Sequence, residues 1–414
     1  MLSNYIKRKK DLKTTRVEQH IIRHIHPIWK TVDQNCFYSK NLYNYANYII
    51  RQEFVQNKKW IRFHELDKLI QQSDAYKQLK SQPSQSTLSV LDKAWKSFFV
   101  AIKDWKKNPT KYLGMPKLPR YLDKDGRYPW YIKNNISYIK DNVLYFKMKR
   151  LSGVTFPTKV KGRLIQVRFI PRGTCYVMEI VTEVDVPEIT EKESTHIASI
   201  DLGVNNFVTL TNNIGVQPII INGIGVKSIN QYYNKQKAVF QSDLKKRNNK
   251  SWSKNLDILT FKRNMRLKNF IHNVSRKVVN YCVENNIDTL VCGYNKKWKQ
   301  ECNMSKPSNQ KFMYLPFETL INQLEYKCQD AGMRFVLIDE SYTSGTSFFD
   351  DEVACKENYD KSRRIKRGLF RACNQLINAD VNGSLQIMKK AFPNAFNSYG
   401  IEGLCLAPLI INIV

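Results

Sequence analysis

Paired cysteines, long apolar runs and acid are what this sequence has little of. The nine cysteines (Cys36, Cys175, Cys282, Cys292, Cys302, Cys328, Cys355, Cys373 and Cys405) form no C-x-x-C pair. An odd, scattered set suits neither a disulfide framework nor a zinc ribbon, so no structural zinc is expected. No apolar run reaches about 18 residues, so no membrane-spanning helix is expected. The N-terminus "MLSNYIKRKKDLKTTR" is basic without the apolar core of a signal peptide, which points to the cytoplasm. Internal repeats and low-complexity tracts are absent from the pattern. The His24/His26 pair has no cysteine or carboxylate at ligand spacing, and reads as solvated or RNA-facing imidazoles. Acid is scarce: 36 Asp+Glu stand against 67 Lys+Arg, a formal net charge of +31. That excess selects partners rather than a fold, namely nucleic acid or an anionic membrane surface.

Aromatic residues decide between those partners. They make up 12% of 414 residues and interleave with the cations, as in "WKKNPTKYLGMPKLPRYLDKDGRYPWYIK". Phosphate contacts combined with stacking faces are what single-stranded or folded RNA requires. A chain of this length has room for two or three domains with cores of their own. Residues 1 to about 20 are basic and mildly β-like. From about 21 to 105 the pattern is helical: Leu88, Leu91, Trp95, Phe98 and Ile102 share one helix face and leave Lys93, Lys96 and Lys103 outside. "SQPSQS" reads as a turn before that helix, with Ser84 or Ser86 as its cap. Prolines and glycines from 109 to 129 break helical structure. Short alternating runs follow ("ISYIK", "VLYFKMK", "LIQVRFI", "CYVMEIVTEV") and suit an antiparallel barrel or sandwich.

The second half changes class. "HIASIDLG" is a buried strand ending in Asp201, "NFVTLT" pairs with it across a tight turn, and "VQPIIING" makes a third strand. A long basic helical region follows from about 227 to 285. Then come a strand in "DTLVCGYN", a helix in "PFETLINQLEYKCQDAG" with a glycine stop, a strand in "MRFVLIDES", and a last helix with Asn378 as N-cap. The order β-β-β-α-β-α-β-α is that of ribonuclease H. In that topology Asp201, Glu340 and Asp380 meet at one sheet edge. Three carboxylates together require cations between them, and two Mg²⁺ ions about 3.5–4 Å apart meet that need and serve phosphodiester hydrolysis. Taken singly, Asp201 suits a strand-end turn, and Asp380 a helix N-terminus favoured by the dipole.

The motifs "SIDLGVNNFVTLT", "KSINQYYNKQKA", "VCGYNKKWKQE", "IDESYTS", "RIKRGLF", "LINADVNGSLQIM" and "GIEGLCLAPLIINI" resemble TnpB. These are the RNA-guided DNA endonucleases of IS200/IS605-type transposons, relatives of type V CRISPR effectors. "LDKAWKSFFVAIKDWKKNP" and "GMPKLPRY" carry the resemblance into the first half. It implies a multidomain α/β and α+β chain. A RuvC/ribonuclease H-like nuclease domain would accompany a β-barrel wedge domain with an inserted helical recognition domain. The expected boundaries are wedge 1–20 and 126–195, recognition domain 21–125, nuclease domain 196–341 and 376–414, and a target-nucleic-acid-binding insert at 342–375. The implied partners are a guide RNA and target DNA, double- and single-stranded, handled by a monomeric ribonucleoprotein in the prokaryotic cytoplasm. A short DNA motif beside the target would be read by the protein. On these motifs Lys117, Arg120, Lys227, Asn230, Tyr233, Lys296, Trp298, Lys299, Arg364, Lys366 and Arg367 are expected to contact nucleic acid, with the fork of Arg367 on a scissile phosphate.

Two departures stand out. Many TnpB relatives place the middle acid on the strand that here reads "TLVCGYN", where Gly293 stands. Glu340 is the expected substitute, because its strand neighbours that one. Asp339 is next, although alternation turns it to the opposite face, and Glu301 is third. The insert also lacks the cysteine pairs many relatives carry there. It instead places six Lys/Arg between Lys361 and Arg371 with no acid. Three readings compete with the active endonuclease: a nuclease-dead RNA-guided repressor, a miniature type V CRISPR effector of the same chemistry, and a structure-selective RuvC-like nuclease without guide RNA.

Overall fold

The computed structural model describes residues 13–189, 194–295, 314–366, 368–372, 375–396 and 407–413. The chain divides between Asp185 and Val186 into two units, ten residues before the expected nuclease boundary.

In the first unit, strand β1 (Lys13–Ile22) leads into four helices: α1 (Trp29–Asn57), α2 (Phe63–Ile70), α3 (Asp74–Leu79) and α4 (Ser81–Lys107). On α4, Leu88, Leu91 and Trp95 are fully buried, while Lys93, Lys96 and Lys103 are exposed, as the periodicity requires. The Trp95 indole N–H donates to Asn47 Oδ1 at 3.0 Å, so its polar edge is satisfied within the core. "SQPSQS" is not a turn: α4 begins at Ser81, and no side chain caps it. Pro83 lies in the first turn, where its missing N–H costs no helical bond. Buried Ser84 donates its hydroxyl to Tyr76 O at 2.9 Å instead of capping. The strands that follow are β2 (Trp130–Lys133), β3 (Ser137–Lys140), β4 (Val143–Phe146), β5 (Thr155–Pro157), β6 (Arg163–Arg172) and β7 (Cys175–Asp185). They build two antiparallel sheets, ordered β1-β7-β6-β2 and β3-β4-β5, over one core that includes Leu144, Phe156, Val167 and Phe169. His24 packs beside Trp29, and His26 stacks on Phe156 with ring centroids 5.6 Å apart.

The second unit is a sheet covered on both faces. Its elements are β8 (Ile197–Asp201), β9 (Asn206–Asn212), β10 (Ile219–Asn222), α5 (Ile224–Asn248), α6 (Lys254–Glu284), β11 (Thr289–Gly293), α7 (Phe317–Asp330), β12 (Arg334–Ile338), β13 (Leu369–Ala372), β14 (Gln375–Asn378), α8 (Ala379–Ala391) and β15 (Leu409–Ile411). The sheet order is β12-β11-β8-β9-β10-β15. β8 runs antiparallel to β9 and parallel to β11, and β11 runs parallel to β12. This is the expected ribonuclease H order with β15 added at the edge.

Period-two alternation sorts the two faces. Ala198, Ile200, Leu290 and Cys292 join the core with α6 and α7. Ile197 and Val291, with partly buried Val336 and Ile338, pack against Ile387 and Met388 of α8. Asp201, Gly293 and Glu340 continue the second parity, so all three fall on the face that α8 covers. No described helix is long and apolar enough to cross a membrane.

Candidate functional site

The site forms where the carboxyl ends of β8, β11 and β12 meet the N-terminus of α8. α8 comes close because its sequence is small at the contact. A Cβ added to Gly383 would stand 2.9 Å from Asp201 Oδ2, so any side chain there would displace the carboxylate. One residue on, Ser199 Oγ donates to Ser384 O at 2.7 Å, and Ser384 Oγ donates to Ser199 O at 2.9 Å. These reciprocal bonds are fully buried and join β8 to the first turns of α8.

Asp380 sits in that first turn. Asn378 caps the helix, accepting from the backbone N–H groups of Asp380 and Val381. Both carboxylate oxygens of Asp380 are engaged: Asn206 Nδ2 donates to Oδ2 at 2.6 Å, and Arg364 Nη2 donates to Oδ1 at 3.1 Å. Asp201 lies against this pair. Burial pushes its carboxyl up to about 7; the negative charge of Asp380 adds to the shift, and Arg364 opposes it. A carboxyl raised by a like charge on a neighbouring element marks a place that favours a cation.

Glu340 follows β12 by two residues. The same construction at Gly293 puts a Cβ 3.1 Å from Glu340 Oε2 and 2.5 Å from Ile387 Cδ1. The Glu340 carboxylate therefore lies beside the strand position that lacks an acid, and a side chain at 293 would press on it and on Ile387. The Cys292 thiol is held well above its ordinary range by burial first, then by the charges of Glu340 and Asp201. Asp339 points the other way: it is exposed, and its Oδ1 accepts from Ser341 N and Ser341 Oγ. Glu301 lies outside the described residues.

Three carboxylates are hard oxygen donors of the kind Mg²⁺ takes, and the Asp201–Asp380 repulsion is what such a cation relieves. Among the described residues no three His, Cys, Asp or Glu side chains stand close enough together to hold a metal ion. At Asp380 the Arg364 guanidinium stands against one carboxylate oxygen, where a cation would otherwise sit. The donor chemistry of the three carboxylates fits a divalent ion.

The remaining expected contacts divide. Arg364 comes to the site. Lys366, Lys117 and Arg120 are exposed, the latter two in the first unit. Lys227 Nζ donates to Asn205 Oδ1 at 2.9 Å and so braces the turn after Asp201. Asn230 and Tyr233 are not surface contacts, because helical spacing turns both inward and leaves them 7% and 5% exposed. Asn230 Oδ1 accepts from Arg263 Nε and Nη2, and the Tyr233 hydroxyl meets Thr260 Oγ1 at 3.1 Å. Lys296, Trp298, Lys299 and Arg367 lie outside the described residues. Sequence reasoning missed Asn206 and Gly383, although both lie in the quoted motifs "GVNN" and "DVNGS". It also missed Asn382, which is fully buried and ties the 342–375 insert to α8 by accepting from Phe348 N at 2.9 Å and donating to Thr346 O at 2.8 Å. Arg363 braces the same insert through Asp350 and Glu352.

Residues 179–299 match the family OrfB_IS605, described as "Probable transposase". Residues 317–387 match "Cas12f1-like, TNB domain". Along 407 residues the chain is 24% identical to the "TnpB-like protein ORF457" of Acidianus two-tailed virus, covering 85% of this chain and 81% of that protein. Among solved structures, the chain in "Cryo-EM structure of the Cas12f1-sgRNA-target DNA complex" aligns at 15% identity and a TM-score of 0.36, over 90% of this chain and 98% of that one. The chain in "Cryo-EM structure of CRISPR-Cas12f Ternary Complex" aligns at 13% identity and a TM-score of 0.38, over 86% and 80%. The two matched segments carry between them Asp201, Gly293, Glu340, Arg364 and Asp380, and in sequence this chain is similar to the OrfB_IS605 family, to the Cas12f1-like TNB domain and to a TnpB-like protein.

Proposed function

We propose that this protein is an RNA-guided DNA endonuclease of RuvC type that cuts DNA complementary to its guide beside a short adjacent motif. The observation that carries this reading is the pairing of Gly293 with Glu340. Glu340 would replace the middle acid missing from the fourth strand, and its Oε2 lies 3.1 Å from where a Cβ at 293 would stand. Asp201, Glu340 and Asp380 would hold divalent metal, most simply two Mg²⁺ ions. Bound there, magnesium supplies positive charge for the phosphodiester as it takes up the attacking oxygen, and lowers the pKa of water. The chain's own groups do the rest. Asn206 fixes the orientation of Asp380, Lys227 braces the turn beside Asp201, and Arg364 presents a planar fork suited to a phosphate. Sequence would be read by base pairing with the guide, and the basic surface would hold the heteroduplex by charge and shape. The first unit would serve as wedge and recognition domain, and the whole would act as a monomeric ribonucleoprotein.

The test is plasmid cleavage by protein co-expressed with its flanking genomic RNA. The target is flanked by randomised bases, Mg²⁺ is present, and Asp201→Ala and Glu340→Ala run beside the wild type. RNA-dependent cutting lost in both variants is the expected result. Cutting that survives Glu340→Ala sends the middle role to Asp339 or Glu301. Target binding without cutting would make the protein an RNA-guided repressor.

A further inference from the structure

The groove between α5 and α6 belongs to no part of the carboxylate site. It encloses about 300 Å³, at the lower end of the range for small-molecule sites and too small for a duplex. Its floor is rigid. The Arg263 plane lies over the rings of Tyr233 and Tyr314, 5.2 Å from each centroid, and its nitrogens are spent on Asn230 and Asn264. Its rim is different in kind. Tyr232 is 55% exposed, and Lys262 and Arg266 are exposed one helical turn apart on α6. Gln236 and Asn255 add amides able to meet a base edge. No Asp or Glu lines the groove. From Ile224 to Glu284 the hairpin carries 14 Lys/Arg against three Asp/Glu, so the field around the groove favours a polyanion.

We infer that this groove takes one unstacked nucleotide of the bound nucleic acid, its base against Tyr232 and the apolar side chains of Ile229, Phe240 and Ile258, its flanking phosphates on Lys262 and Arg266. Single strands are held in this way, by an aromatic face for a splayed base and cations for the backbone. The inference rests on the nucleic-acid-binding reading above. The nucleotide has two possible sources, guide RNA and a displaced DNA strand, which share this chemistry.

The test is fluorescence anisotropy of the full-length protein with 20-nucleotide RNA and DNA single strands of one sequence, from low to moderate salt. The variants are Tyr232→Ala, Tyr232→Phe and Lys262→Gln/Arg266→Gln. All substituted side chains are exposed, so the fold is retained. Tyr232→Ala should weaken binding about 5- to 100-fold with an unchanged salt slope, and Tyr232→Phe should restore it. The double variant should flatten the logarithmic salt slope by about 1.4, or about 0.7 for each phosphate left without its cation. Loss confined to the RNA arm assigns the groove to guide RNA, and loss confined to the DNA arm assigns it to the displaced strand. Wild-type binding with a steep slope, unchanged in every variant, overturns the groove and leaves the proposed function standing. A wild type that binds neither strand overturns both.

Discussion

Arg364 holds the place of a cation at Asp380, so removing it should make the nucleic-acid-free site a better metal site. At 3.1 Å, with an effective dielectric constant of about 20, the gross attraction between the two side chains is about 5 kcal/mol. The Arg364 side chain is 42% exposed and that of Asp380 22%, so water returns most of this, leaving about 1 kcal/mol net. A divalent ion must displace that contact to use Asp380. Arg364→Ala should therefore tighten divalent binding about fivefold, by the usual conversion of about 1.4 kcal/mol per factor of ten. Free Mn²⁺, followed by electron paramagnetic resonance at pH 8 without nucleic acid, measures this directly. Arg364→Lys should fall between wild type and Arg364→Ala, and in an Asp380→Asn background the Arg364→Ala gain should vanish. Equal or weaker Mn²⁺ binding by Arg364→Ala would refute the competition. If competition holds, cleavage should still fall in Arg364→Ala, because the arginine freed by the metal is then available to a phosphate. Metal and nucleic acid would each favour the other's binding, as linkage requires.

Three further outcomes follow from the geometry. The carboxyl of Asp201, raised to about 7 in the fold against about 4 in an unfolded chain, makes metal-free folding less favourable as pH rises from 4 to 7. With metal chelated, Asp201→Asn should match the wild type in thermal stability at pH 4 and exceed it at pH 8, by roughly 1–4 kcal/mol; parity at pH 8 would contradict the raised value. Gly293→Ala places its methyl 3.1 Å from Glu340 Oε2 and 2.5 Å from Ile387 Cδ1. It should lower cleavage at least tenfold, for a misplacement of a few tenths of an ångström or more, while circular dichroism stays unchanged. In the first unit, Trp95→Ala removes a fully buried indole and strands Asn47 Oδ1, and should cost about 3–5 kcal/mol in denaturant unfolding.

Much of the second unit was legible because its signals are local. Alternating apolar runs bounded by "DLG" and "NG" gave the strands, and their order gave the sheet. The N-cap at Asn378 was readable from residue type and position alone. Parity along an extended chain also separated Glu340 from Asp339, and the structure places their side chains as that argument requires. Signals were lost where a residue's role depends on a partner distant in sequence. "KSINQYYNKQKA" reads as a polar helix, but whether Asn230 faces solvent or Arg263 depends on how α6 lies across α5, 33 residues further on. "SQPSQS" failed for a local reason: proline and serine mark both turns and first helical turns, and burial of Ser84 against Tyr76 settled the choice. The closeness of Gly383 to Asp201 spans 182 residues, and only the packed seam of β8 and α8 makes it visible.

The geometry of β11 and β12 would let an acid after β12 serve in place of one at Gly293. β11 and β12 are parallel and in register, with Gly293 opposite Ile338. A residue two positions past Ile338 keeps its parity and faces α8, as a side chain at 293 would. One glutamate is long enough to reach back across the interstrand distance of about 4.8 Å. Its Oε2 comes within 3.1 Å of where a Cβ at 293 would stand, so the two positions are neighbours in space. A side chain at 293 would press on Glu340 Oε2 and on Ile387, and both would have to give way. Strand register and chain parity put both positions on the face that α8 covers, and the bare backbone at Gly293 leaves Glu340 room there.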